Sequence, residues 1–126
     1  MKDKFATTIN CMDGRVQLPV IEYIKREHGV QYIDMITEAG PNKILAENKD
    51  TDTIESIKKR VEVSIDKHDS NLITIVGHYD CAGNPVDETQ HIKDIKESVK
   101  NIKKWNLNIQ VIGIYVDDKW KVNKVC

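Results

Sequence analysis

The stretch "NLITIVGHYDC", residues 71–81, is a short, nearly unbroken apolar run that passes at once into glycine, histidine and cysteine. A run of that length, rich in β-branched residues, reads as a strand buried on both faces, as inner strands of parallel sheets are. The strand itself is taken as residues 71–77, which leaves His78 and Cys81 in the loop at its carboxyl end. A histidine and a cysteine three positions apart at the mouth of a buried strand are unusual company, and the rest of the chain is read from them.

Upstream, "KFATTINC" (4–11) has the β-branched and aromatic character of a first strand. "LPVIEYIKREHG" follows as a helix, with Pro19 in its first turn, Ile21 and Ile24 at helical spacing, and Gly29 as its stop. "VQYIDMIT" (30–37) alternates as a second strand and runs into the turn-rich "EAGPN". Residues 41–51 carry no clear pattern. Asp52 and Glu55 are spaced as a capping box, ahead of a helix whose apolar stripe is Ile54, Ile57, Val61 and Ile65. Downstream of the quoted stretch, Asp87 and Gln90 repeat the capping spacing before a third helix marked by Ile92, Ile95, Val99 and Ile102. "NIQVIGIYVDD" (108–118) is a fourth strand, and "KWKV" reads as a short returning edge strand.

Strands alternating with helices predict an α/β fold: three layers, α/β/α, around a mainly parallel sheet with right-handed crossovers. The expected strand order is 2-1-3-4, with an antiparallel edge strand added. In that order the first and third strands are neighbours, and ligands bind at the carboxyl ends of the strands where the chain reverses direction. Cys11 ends the first strand and His78 the third, so the topology sets Cys11 beside His78 and Cys81.

At 126 residues, 40% hydrophobic and 31% charged, the chain has the size and composition of one globular domain, 1–126. A net charge of −1, with lysines scattered along helix faces, argues against nucleic acid as a partner. No apolar run approaches the roughly 20 residues that span a bilayer, so no membrane is implied. The N-terminus has charge but no apolar core of a signal peptide, and a cytoplasmic location is expected. Three cysteines, an odd count in a reducing compartment, argue against a disulfide framework and leave metal binding or catalysis. Cys126, the last residue, reads as frayed and incidental.

Cys11, His78 and Cys81 form a Cys₂His set. Zinc takes thiolate and imidazole ligands tetrahedrally, and three protein ligands leave the fourth position that catalytic sites keep open. Asp13 follows Cys11 by two residues and Arg15 follows Asp13 by two, so in an extended exit from the strand all three lean one way. A carboxylate beside a guanidinium stays ionised and oriented, which suits a proton acceptor at a metal centre.

"CMDGR" and "GHYDC" resemble the C-x-D-x-R and H-x-x-C motifs of β-class carbonic anhydrases. "ITEAGPN" is similar to that family's Asn-Ala-Gly turn, and "VIGIYVDD" to its late strand, so the resemblance covers most of the chain in order. It implies Zn²⁺ on Cys11, His78 and Cys81, with Asp13 and Arg15 managing the fourth ligand. The implied activity is reversible hydration of carbon dioxide to bicarbonate by a zinc-bound hydroxide, in a homodimer or higher homo-oligomer. Two alternatives stay open: hydrolysis of carbonyl sulfide or carbon disulfide, or a non-catalytic zinc-binding domain whose fourth site Asp13 closes. The sequence departs from the pattern in four places. It has no counterpart of the N-terminal arm that clasps a dimer partner, it is much shorter after Cys81, "EAG" stands where the family usually has "NAG", and "CAG" where it often has "CGG".

Other residues are assigned plainer roles. His28 belongs to the last turn of the first helix, where a cation suits the dipole, and His68 to an exposed helix end. His91 is placed on exposed helix surface, with proton shuttling as its functional reading. Tyr79 and Asp80 are assigned to loop geometry, and Trp105 to core or interface. Gly77 and Gly83 are read as points of close backbone approach to the site. A helix starting shortly after Cys81 would offer its amides to an anion. A thiol phosphatase is excluded because Cys11 and Arg15 are spaced C-x₃-R, too short to wrap a phosphate, and the absence of C-x-x-C argues against redox exchange. A metal-free flavodoxin-like interaction module is the remaining reading.

Overall fold

The computed structural model describes residues 3–126. Five strands form one sheet in the order β2-β1-β3-β4-β5: β1 Phe5–Cys11, β2 Tyr32–Glu38, β3 Leu72–His78, β4 Gln110–Val116 and β5 Val122–Lys124. The first four run parallel, and β5 returns antiparallel to β4. This is the mainly parallel α/β sheet expected, with its antiparallel edge. The edge strand itself lies later than "KWKV", because Trp120 belongs to the turn that precedes it.

β3 is buried along its whole length, as a strand paired on both edges and covered on both faces must be. Its alternation divides the core. Leu72 and Val76 pack with Ala6, Ile112, Ile114 and the buried side of α1 (Gln17–His28). Ile73 and Ile75 pack on the opposite face against α2 (Pro41–Glu47), α3 (Thr51–His68) and α4 (Glu88–Lys103). One helix therefore covers one face and three helices cover the other.

The local signals account for most boundaries. Gly29 takes φ +62°, and its amide donates to the Lys25 carbonyl to close α1. The unpatterned stretch after residue 40 forms α2, entered through Gly40 in the left-handed region and Pro41 in the first helical position. α3 begins earlier than the Asp52–Glu55 spacing predicts: Asp50 is the cap, its carboxylate accepting from the Thr53 amide. Asp87 caps α4 as expected, but the Gln90 side chain turns away to Asp94, so the cap works in one direction only. Cys126 is not frayed. Its amide and carbonyl pair with Gly113 across the sheet, extending the β4–β5 ladder. No helix among the described residues is long and apolar enough to cross a membrane.

Candidate metal centre

β1 and β3 are adjacent and parallel, so their carboxyl ends deliver Cys11 and His78 to the same edge of the sheet. The loop after β3 folds back to add Cys81. Asp80 makes this reversal in the left-handed region, with φ +56°, a conformation that aspartate tolerates better than most residues. Cys11 Sγ and Cys81 Sγ are 3.9 Å apart, and the donor atoms of Cys11, His78 and Cys81 all lie within 4.8 Å of one another. All three residues are buried. The cluster could hold a metal ion.

The histidine is oriented for that task. Its Nδ1–H donates to the Tyr79 carbonyl at 2.7 Å, which fixes the tautomer and leaves the Nε2 lone pair free. Nε2 is buried and has no hydrogen-bond partner. A buried polar atom without a partner costs free energy, and two sulfurs facing it make a soft donor set for a cation. The hydrogen bond from Cys81 is the largest influence drawing the Cys11 thiol well below its ordinary range; burial opposes it, and His78 assists. Cys81 is correspondingly pushed up by the Cys11 thiolate and by burial. Burial is the largest influence on His78 and pulls it down, yet the Cys11 sulfur and the Tyr79 carbonyl outweigh it, and the net direction is up. Cys11 is thus drawn toward the thiolate while Cys81 and His78 are pushed toward keeping their protons, which a bound cation would displace.

Asp13 and Arg15 meet at the same edge, by a turn rather than by extended backbone. The chain leaves β1 through a single 3-10 turn, Gly14–Val16, capped by Asp13, whose carboxylate accepts from the Arg15 amide at 2.9 Å. Asn10 and Gln17 hold this turn from either side. Asn10 Nδ2 donates to the Val16 carbonyl, and Gln17 Nε2 donates to the carbonyls of Cys11 and Asp13. Arg15 Nη2 lies 2.7 Å from Asp13 Oδ2, and Nε reaches both carboxylate oxygens. The hydrogen bond from Arg15 holds the Asp13 carboxyl down at about 2, despite some burial.

The glycines of the two turns meet each other. A Cβ on Gly83 would fall 2.4 Å from the Ala39 carbonyl carbon, and one on Gly40 would fall 2.5 Å from the Gly83 carbonyl carbon. The "EAG" and "CAG" turns are therefore pressed backbone to backbone beside the cluster, which sets where Cys81 can sit. Gly77, expected to open toward the site, instead gives way to Asn42, His91 and Ile95 on the other face of β3.

Three expectations for this region are corrected. His91 is fully buried, not on the helix surface: Asn42 Nδ2 donates to its Nδ1 at 2.9 Å and its ring lies against Tyr115. The helix after Cys81 begins only at Glu88, and the Asp87 carboxylate already takes one of its first amides, that of Gln90. Asp80 does more than shape a loop, since its carboxylate takes Arg15 Nη1 at 3.2 Å. Its position between His78 and Cys81 was the one sequence signal for this; Trp120, which stacks on Arg15 at 4.7 Å, had none. His68 does sit at an exposed helix end, where its Nδ1 lies 2.7 Å from Asp34 Oδ2.

Solved structures share this architecture. A carbonic anhydrase from Glaciozyma antarctica superposes with a TM-score of 0.60 at 16% identity, covering 95% of this chain and 81% of its own. The tetrameric β-carbonic anhydrases of Sordaria macrospora give a TM-score of 0.53 at 13% identity, covering 98% of this chain and 80% of that one. The β-carbonic anhydrase CafA of Aspergillus fumigatus gives 0.50 at 15% identity, with 97% and 74% covered. At such identities the likeness is one of fold. Among curated proteins no significant match is found. A family model described as "Putative carbonic anhydrase" matches residues 1–126, the whole chain, and on that match the chain belongs to this carbonic anhydrase family.

Proposed function

We propose that the chain is a zinc-dependent carbonic anhydrase, interconverting carbon dioxide and bicarbonate with Cys11, His78 and Cys81 as metal ligands and Asp13 and Arg15 as the proton-managing pair. The observation that carries this reading is the buried convergence of the two sulfurs and the unpartnered His78 Nε2 within 4.8 Å, at the edge where Asp13 and Arg15 meet. Sulfur and imidazole donors are the set that zinc favours, and three of them leave one coordination position free. Held there, zinc supplies Lewis acidity that makes water a nucleophile near neutral pH.

The protein groups have separable tasks. The Tyr79 carbonyl fixes the His78 ring plane through Nδ1–H and keeps Nε2 aimed at the sulfurs. Arg15 keeps Asp13 ionised, so the carboxylate accepts a hydrogen bond from a hydroxyl at the site instead of carrying a proton itself. A hydroxyl so oriented would present a lone pair to the carbon of carbon dioxide, and the proton that water gives up in forming it would leave to solvent. Both Asp13 oxygens are held by Arg15, which favours the open site over one closed by Asp13; Oδ2, whose second contact is the long one from Nε at 3.3 Å, keeps room for the hydroxyl donor.

A groove of about 570 Å³ beside Cys81 is lined by Tyr79, Val86 and Tyr115 together with the carboxylates of Asp80, Asp87, Glu88, Asp117 and Asp118. A lining this acidic admits a small neutral molecule such as carbon dioxide more readily than an anion. Met12 and Leu18 are 67% and 63% exposed, flanking the turn after β1, and burying them in a homodimer or higher homo-oligomer is part of the proposal.

The test is zinc content per chain on protein purified without added metal, followed on the same sample by carbon dioxide hydration in stopped flow. About one zinc per chain, lost in Cys11→Ser, together with measurable hydration, is the expected result. Zinc without hydration, but with carbonyl sulfide hydrolysis, would move the reading to the related substrate. No zinc even after reconstitution would overturn it.

A further inference from the structure

The Arg15 guanidinium is gripped from three sides by three separate segments. Asp13, on the exit from β1, takes Nε and Nη2. Asp80, in the loop between His78 and Cys81, takes Nη1 with its carboxylate at 3.2 Å and Nη2 with its own carbonyl at 3.1 Å. The Trp120 ring, in the turn from β4 to β5, lies 4.7 Å from the guanidinium carbon. Arg15 is nevertheless 46% exposed. An exposed arginine ordinarily spreads over many rotamers, and fixing it costs side-chain entropy. A single surface ion pair does not repay that cost well.

The indole grip is itself built at a cost. Trp120 has φ +59°, and for a bulky side chain the left-handed region is an uncommon and strained choice. The surrounding turn enforces it. Trp120 N–H donates to the Asp117 carbonyl at 2.9 Å, and Asp117 Oδ1 accepts from the amides of Lys119 and Lys121. The Tyr79 ring meets Trp120 edge-on, at 6.4 Å between centroids, which ties this turn back to the loop that carries the ligands. Strain held at a functional edge by over-determined surroundings is the pattern of a pre-organised site.

We propose that Asp80 and Trp120 are positioning residues for the reaction: they hold Arg15 independently of Asp13, so that Asp13 works against a fixed partner. This rests on the role given to Asp13 under the proposed function. A guanidinium anchored by Asp13 alone would follow that carboxylate wherever it turned. Anchored also by a second carboxylate, a carbonyl and an indole face, it stays in place and fixes the direction of the Asp13 lone pairs.

The test uses the full chain with Asp80→Asn, which tolerates the same backbone conformation, and with Trp120→Leu and Trp120→Phe. Two readouts are taken on each variant: hydrogen exchange of the Arg15 Nε–H by NMR, the signal assigned by its loss in Arg15→Lys, and hydration kinetics with zinc content. Expected are faster Nε–H exchange in Asp80→Asn and Trp120→Leu, unchanged zinc and KM, and a fall in kcat of about twofold to fivefold. Trp120→Phe restores most of it. In an Arg15→Lys background Asp80→Asn brings no further loss, because residues acting through one group are non-additive. Unchanged Nε–H exchange, or kcat losses that add fully to that of Arg15→Lys, would overturn the proposal. If the parent chain hydrates nothing, the functional reading fails on its own, and the exchange data still decide whether Asp80 and Trp120 hold Arg15.

Discussion

His78, at the end of β3, and His91, in the first turns of α4, are equally withdrawn from solvent. They stand on opposite faces of the same strand end, since the missing side chain of Gly77 is what makes room for His91. Their ring nitrogens separate them. His78 spends Nδ1–H on a backbone carbonyl and keeps Nε2 facing two sulfurs. His91 accepts from Asn42 at Nδ1 and is packed against Tyr115 on the three-helix face, beside Ile95. Burial alone therefore says little about a histidine. Both rings leave Nε2 buried without a hydrogen-bond partner, so the ligand is distinguished by the two cysteine sulfurs gathered with His78 and by the Nδ1 donor that sets its tautomer.

The sharpest way to break this comparison is to remove each ring in turn. His78→Leu abolishes metal binding, taking zinc from about one per chain to near none, while His91→Leu leaves zinc in place. Metal analysis after gel filtration reads both, and zinc retained in His78→Leu would end the distinction. A Cβ at Gly77 attacks the structural histidine without substituting either ring. Placed 2.6 Å from Asn42 Nδ2 and 3.1 Å from His91 Nδ1, it forces the pair apart. Gly77→Ala is expected to destabilise the chain by about 3 kcal/mol in urea unfolding.

His91→Leu has a smaller effect of the same kind, since it leaves the buried Asn42 amide without its acceptor; about 2 kcal/mol is expected. The smallest effect is a pH dependence. Burial, followed by the nearby charge of His78, holds His91 below its ordinary value. The unfolded chain then binds the proton more readily than the folded one. The His91 contribution is complete above the unfolded pKa of about 6.5 and is lost as the pH falls from there through the lowered folded value. Urea midpoints measured at steps between neutral and mildly acid pH should fall for the parent chain, and fall less for His91→Leu. Parallel curves would show that His91 is not the titrating group.

The same contrast explains what could be read along the chain. The stripe Ile92, Ile95, Val99 and Ile102 was legible as a helix, but the buried face of α4 also carries His91, Ser98 and Asn101. Those polar residues look like surface in sequence. They are inside because α2 lies across α4 and needs donors: Ser98 Oγ donates to the Asn42 carbonyl, and Asn101 Nδ2 to the Leu45 carbonyl. A helix of seven residues leaves most of its carbonyls unpaired within itself. α2 escaped notice for the related reason that so short a segment shows no period.

From its sequence alone this protein determined its strand–helix alternation, its sheet order and the meeting of Cys11 with His78 and Cys81. Those follow from short-range patterns and from the rule that parallel strands bring their carboxyl ends to one edge. Only the tertiary structure decided that Asp13 meets Arg15 through a 3-10 turn, that Asp80 and Trp120 close on the same guanidinium, and that His91 is core. Each of these depends on where a turn aims one side chain relative to segments distant in sequence. Periodicity specifies the face of an element, but not the direction in which a loop turns.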